Sequence, residues 1–342
     1  MKKWIILFLG INIAFIATES HAQHSKIGKV SLKHLQLLDD SLGATAERIL
    51  DELNPAERLR ADSLFTRMLV RGMLVPYSFY FPFDSLLTAP VLYPEDSTFR
   101  IITWHYSLND ADYRQKGVLQ INTPDGSPKF FPLFDVSEYT DAPQDSVRDN
   151  RNWIGAIYYK IVTTTRQNEK IYALFGYDEN NSITTRKWIE PLTFNEKDEP
   201  VFGGDYFRIP YSATYTENSR RYLMEYKTGS RARLNFDDED GMVIMDHLIS
   251  ESNEPDRRYT LVPGGDYSGL KWEKDAWIYI PRLATEMRGD GNEPRPSLIL
   301  NDDGTANEDV LQRQSDKNMK QPAPTAQSTK PAKTASRPKK GN

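Results

Sequence analysis

Between residues 98 and 281 the chain alternates short runs of β-branched and aromatic residues with clusters of turn formers, and this alternation limits the fold more than any other feature. Twelve runs can be marked, at 98–106, 117–122, 129–134, 153–165, 169–177, 183–194, 220–226, 231–236, 242–248, 258–262, 269–272 and 277–281. Asn109-Asp110, Pro124-Asp125-Gly126, residues 178–181, Thr228-Gly229 and Asp240-Gly241 lie between them. Short connections place consecutive strands side by side, which predicts a mainly β protein: an antiparallel meander forming a curved sandwich or an open barrel. A propeller needs about four blades of four strands, and twelve strands make only three. In 153–159 apolar residues occupy both alternating sets, so this strand is expected to be buried on both faces.

Residues 41–96 read as a helical segment with a proline-rich connector, and 23–40 as a polar lead-in. A short helix is expected over 43–53. Asn54, Pro55 and Glu57 then supply an N-cap, a proline at the first helical position and an acid three residues after the cap. Ala61, Leu64, Phe65, Met68, Leu69 and Gly72 recur on one helical face, which fits packing onto the chain's own core. Pro76, Pro82, Pro90 and Pro94 forbid helix from there to about residue 97.

Residues 1–22 have the form of a secretory signal peptide. Lys2 and Lys3 precede an apolar run from Trp4 to Ala17, and Ser20-His21-Ala22 satisfies the small-x-small rule, with cleavage expected between Ala22 and Gln23. The run is shorter than the roughly 20 residues a spanning helix needs, so no integral membrane segment is expected in the mature chain, and export to the periplasm or outer surface is. No cysteine occurs anywhere, which excludes disulfides, thiol catalysis, thiolate zinc sites and a lipid-modified cysteine after the leader.

The overall charge of −5 hides an asymmetry. From Arg313 to Asn342 eight basic residues face Asp316 alone, among four prolines and few apolar side chains. A basic tail, 286–342, is therefore expected to be disordered, beginning near Gly289, and able to dock onto anionic surfaces. The domain from 97 to 285 is acidic, which argues against nucleic acid as a partner.

Familiar catalytic signatures are absent. The sequence has no phosphate-binding Gly-rich loop and no His-Glu-x-x-His, and Asp266 occupies the place of the first glycine in what would be a Gly-x-Ser-x-Gly elbow around Ser268. The acidic run Asp237–Gly241 fails as a calcium loop at both anchor positions, where Phe236 and His247 stand, and reads as a hairpin turn. No metal or other cofactor is expected. His105, next to Trp104 and near Asp110, and His247, next to Asp246, are the candidates for ligand contact or acid–base work. Neighbours in a strand point to opposite faces, so Asp246 is poorly placed to orient His247. Trp104, Trp153, Trp188, Trp272 and Trp277 can form either a core or a carbohydrate platform. The hexapeptides Val201–Tyr206 and Val262–Tyr267, identical but for Phe202 and Pro263, carry Gly-Gly-Asp turn chemistry and read as coincidence unless the fold places them equivalently, which would point to a duplication.

Ile102-Thr103-Trp104, 153–160, 174–178, Arg186–Ile189, 200–203 and Met245–Leu248 together resemble an uncharacterised family of exported proteins from Bacteroidetes. The resemblance covers about 75–282, implies an envelope location and implies no activity. Two readings follow: a non-enzymatic exported module that binds an envelope protein or glycan, and a metal-independent hydrolase using His105 or His247 with a nearby aspartate.

Overall fold

The structure is a computed structural model that describes residues 26–109, 112–210, 218–286 and 295–298, with backbone alone for 284–286 and 295–298. The proposed leader, its Ala22–Gln23 junction, Asp110 and the chain from 299 onward lie outside the described residues.

Among the described residues two helices come first, α1 (Lys29–Asp51) and α2 (Pro55–Met73). The second starts as its sequence directs: Asn54 accepts a hydrogen bond from the Ala56 amide at 2.9 Å, and Pro55 opens the first turn. The first corrects the sequence reading, because helix runs from Lys29 through much of the supposed polar lead-in. Its N-terminal half buries little, chiefly Leu35 and Asp39, and its cap Gly28 makes no side-chain bond, so neither periodicity nor cap marked it. Gly43 lets the following loop approach, since a Cβ there would sit 2.6 Å from the Ser85 carbonyl oxygen.

Among the described residues sixteen strands follow. They are β1 (Val91–Leu92), β2 (Phe99–Asn109), β3 (Asp112–Ile121), β4 (Phe130–Phe134), β5 (Arg148–Asp149), β6 (Ile157–Arg166), β7 (Glu169–Asp178) and β8 (Thr184–Phe194), then β9 (Pro200–Phe202), β10 (Phe207–Arg208), β11 (Tyr222–Lys227), β12 (Leu234–Asp237), β13 (Met242–Ser250), β14 (Leu261–Glu273), β15 (Ala276–Glu286) and β16 (Arg295–Leu298). The first sheet has the order β1-β2-β3-β4, the central sheet β5-β9-β8-β7-β6 with β11 also on β8, and the third sheet β10-β15-β14-β13-β12. The chain is mainly β with largely antiparallel sheets and an N-terminal helical segment, as expected; none of the sheets closes on itself, and their stacking is consistent with the sandwich alternative. The meander holds for most neighbours. The exceptions are β5, which pairs with β9, β10, which pairs in parallel with β15 of the third sheet, and β11, which returns to pair with β8.

The compact unit ending at Arg282 is layered. Phe99 and Ile101 on one face of β2 pack with Tyr172, Leu174 and Trp188 of the central sheet, while Ile102 and Trp104 on the other face pack under the helices. The alternate central residues Ala173, Phe175 and Ile189 pack with Val243, Met245 and Leu270 of the third sheet. Helices, first sheet, central sheet and third sheet thus form four layers around three apolar cores, and the central sheet is covered on both faces.

A second compact unit begins at Leu283, and its described part is Leu283–Glu286 paired antiparallel with β16. Residues 295–298 are therefore strand within the expected tail, and the rest of that tail from 287 on lies outside the described residues. Another correction concerns Val262–Tyr267, which lies inside the thirteen-residue β14, whereas Val201–Tyr206 is a corner between β9 and β10. The two hexapeptides occupy different structural places, so nothing supports a duplication.

One set of buried polar groups in this stack is closely paired, although Arg221 Nη2 and Trp188 Nε1 are buried without a hydrogen-bond partner. Glu190, 2 % exposed, accepts from Arg221 Nε at 2.7 Å and from the Tyr158 hydroxyl, which in turn accepts from Trp153 Nε1 at 2.8 Å. Arg221 is wholly buried and also donates to the Pro143 carbonyl, tying the 136–147 loop to the core. Replacing Glu190 by Gln leaves that guanidinium without its counter-charge, and denaturant melts are expected to show a loss of about 3–5 kcal/mol. The double variant Glu190→Leu, Arg221→Met should lose less than the two single variants summed, and strict additivity would show that the pair is not coupled.

Candidate functional site

Four of the five candidate residues are described, and they fall in three places. Trp104 is core: it packs edge-on to Phe65 with ring centroids 4.9 Å apart, and its Nε1 donates at 2.9 Å to Asp62, a buried carboxylate that Lys116 also holds. His105, on the opposite face of β2, is half-buried beside Tyr113. Burial pushes its pKa down, and the charge of Glu179 partly offsets this. Asp246 and His247 are on the third sheet, beyond the central one, so His105 and His247 belong to different sites. Asp110 lies outside the described residues. The tryptophan platform is replaced by core packing: Trp104, Trp153, Trp188 and Trp277 are buried, and Trp272 is half-buried against Trp277.

His247 stands at an irregularity that the sequence shows only as a turn. Asp246 pairs with Tyr267 and Leu248 with Pro263, so Gly264-Gly265-Asp266 bulges out of β14 opposite His247. Gly265 has φ +89°, a left-handed conformation that glycine adopts without the clash a Cβ would cause. This bulge borders a cleft of about 460 Å³ between β11 of the central sheet and β13–β15 of the third. Its apolar part includes Met224, Met245, Leu248 and Leu261, with the Tyr222 and Tyr279 rings beside them. Glu225, Asp246, His247, Asp256 and Arg258 supply its polar edge. Burial, with Tyr279 adding, pushes the Tyr222 phenol up, so it stays a protonated donor at neutral pH.

Ser268, at the base of this cleft, was recognisable in sequence only as the serine of a failed elbow. Its hydroxyl donates to the Pro281 carbonyl at 3.0 Å and accepts from the Tyr279 hydroxyl at 3.1 Å. His247 Nδ1 lies 3.5 Å away. With the serine proton held by a carbonyl oxygen, the imidazole can meet only a lone pair, the wrong direction for a general base. Asp246 does not orient the imidazole either, because its Oδ2 accepts from the Arg233 amide at 2.6 Å. Ser268 and Tyr279, both missed as site residues, act as a hydrogen-bonded brace that fixes the cleft floor. The Asp237–Gly241 run is the expected hairpin turn, with the Glu239 and Asp240 amides bonded to Asp237 Oδ1. Among the described residues no group of three or more acidic or histidine side chains is placed to hold a metal ion.

A second polar centre joins the first and central sheets. Asp178 Oδ1 accepts from Gln115 Nε2 at 2.6 Å and from the Asn180 amide at 2.9 Å. Burial raises its pKa to about 6, with the charge of Asp135 adding to the rise and Arg186 opposing it.

No family model, no curated protein and no solved structure matches the chain.

The Asp178 carboxyl has a pH consequence. Its folded pKa lies above its ordinary 3.8, so the stability it contributes is complete below about pH 4 and is lost as pH rises through about 6. Asn keeps the Oδ1 acceptor and removes the charge. Asp178→Asn is therefore expected to melt higher than the wild type at about pH 8, by on the order of 2–3 kcal/mol, and level with it at about pH 4. A difference that does not change with pH would contradict this account.

Proposed function

We propose that the chain is an exported, non-enzymatic β-rich module that binds an envelope glycan or partner protein in the cleft between β11 and β13–β15. One observation carries this reading: the cleft has the volume and mixed lining of a ligand site, and the serine at its base has its proton engaged with a backbone carbonyl. A hydroxyl so engaged serves to hold Tyr279 in place. Tyr222 and Tyr279 offer ring faces and hydroxyls together, the combination that suits a ligand apolar on one side and polar on the other. The leader-like residues 1–22 support export, and among the described residues no helix is long and apolar enough to cross a membrane. In this reading the basic residues after Arg313 add an electrostatic attachment to anionic envelope surfaces that salt weakens.

The competing hydrolase reading draws on the proximity of His247 to Ser268. Immobilised protein incubated with envelope polysaccharide fractions and with activated ester and glycoside substrates separates the two. Binding is expected without turnover, and Tyr279→Ala should weaken it by about tenfold or more, since it removes a ring and a hydroxyl at once. Turnover that disappears in Ser268→Ala would overturn the binding reading in favour of the hydrolase.

A further inference from the structure

A second cleft, of about 450 Å³, opens where the β3–β4 hairpin of the first sheet meets β7 and the β8–β9 turn of the central sheet. Tyr172 and Phe194 form its aromatic side. Both pack on Phe99, with centroids 4.9 and 5.5 Å away, so the rings are fixed before any ligand arrives. Ile121 and Pro124 extend the apolar surface.

The polar side is arranged differently from that of the first cleft, because its charges cancel in pairs. Asp96 accepts from Lys170 Nζ at 2.6 Å, the Tyr172 hydroxyl at 2.9 Å, the Thr98 hydroxyl at 2.8 Å and the Thr98 amide at 3.1 Å. Burial alone would raise its pKa, but the bonds from Lys170, Thr98 and Tyr172 outweigh burial and hold it below the ordinary value. Lys129 Nζ meets Asp198 Oδ2 at 3.0 Å, joining the hairpin of the first sheet to the turn of the central sheet. This second pair is exposed, so parting it costs about 0–1 kcal/mol and bars entry only weakly. Asn122 donates one amide hydrogen to the Ser97 carbonyl at 2.9 Å, which orients the side chain.

A charged ligand would find each counter-charge already matched. A ligand made only of hydrocarbon would strip water from Asn122 and Ser97 with nothing in return. What remains is a neutral molecule with an apolar face for the aromatic side and hydroxyls for the Asn122 amide and the Ser97 hydroxyl, the Asp96 carboxylate being filled by its four donors. We propose that this cleft is a separate binding site for a neutral sugar, with Phe194 against the ring face, the buried Tyr172 ring packed edge-on to it in support, and Asn122 on the sugar's hydroxyls.

The full chain can be titrated with cellotriose and N,N′,N″-triacetylchitotriose as neutral probes, and with the glucosamine trimer and trigalacturonate as charged ones, by calorimetry and saturation-transfer NMR. A neutral trisaccharide is expected to bind with an affinity that changes by less than about twofold between roughly 50 and 500 mM salt. Phe194→Ala should weaken it by about tenfold. Asn122→Ala, which leaves the aromatic cluster untouched, should weaken it by about threefold or more. Absence of binding by both neutral probes at millimolar concentration overturns the proposal, as does preference for a charged trimer. Binding lost in Tyr279→Ala and retained in Phe194→Ala would place the sugar in the first cleft. That result would remove the second site while leaving the proposed function standing.

Discussion

The central sheet is covered on both faces, and most other features of the structure follow from this constraint. A sheet in that position has no solvent-facing set of side chains, so both alternating sets must be apolar or internally paired. Residues 171–175 meet the first condition as Ile-Tyr-Ala-Leu-Phe, all buried. Glu190 on β8 meets the second through Arg221, Tyr158 and Trp153. Tyr158 lies on β6, Trp153 in the β5–β6 connection and Arg221 just before β11, so one buried carboxylate ties the start of β6 to the start of β11. An all-apolar substitute could match its energy, but it would not specify those positions.

The same constraint explains why the chain passes between sheets. With β10 in the third sheet and β11 back on β8, the central and third layers are tied by continuous backbone as well as by packing. The first layer is tied differently, through side chains: Gln115 to Asp178, and the Tyr158 amide to the Thr103 hydroxyl at 3.0 Å. Asp178 is therefore a polar tie buried at an apolar border, and its raised pKa reflects the energetic cost of that position.

How far the sequence discloses this depends on which contacts carry the information. Strands with local partners were legible, because composition and turn residues act within a few positions: 169–177 and 183–194 fall within a residue of β7 and β8. The Asn54-Pro55 helix start was legible for the same reason. Helix α1 was not, since its N-terminal half is shaped by what packs on Leu35 and by little in its own pattern. Two-residue strands such as β5 and β10 exist only through their partners Phe202 and Trp277, distant in sequence. The candidate site divides similarly. His247 could be noticed as a residue type, whereas its relation to Ser268 depends on a bulge whose Gly-Gly-Asp residues are equally good at making a turn. Trp104 shows the converse error, because an aromatic beside a histidine looks like chemistry until Asp62, on a helix, turns out to hold its indole.

Both clefts arise at borders of the layers, which is where twisted sheets part at their corners. In a stack of three sheets the middle one contributes to both borders, and here β11 supplies Tyr222 to one cleft while β7 supplies Tyr172 to the other. Tyr172 belongs to the set that packs toward the first sheet, and Tyr222 to the set that packs toward the third. The period-two alternation that buries the central sheet on both faces therefore also distributes ring-bearing side chains to two different openings. A scaffold built this way keeps a packed core and still opens two clefts, each backed by aromatic packing.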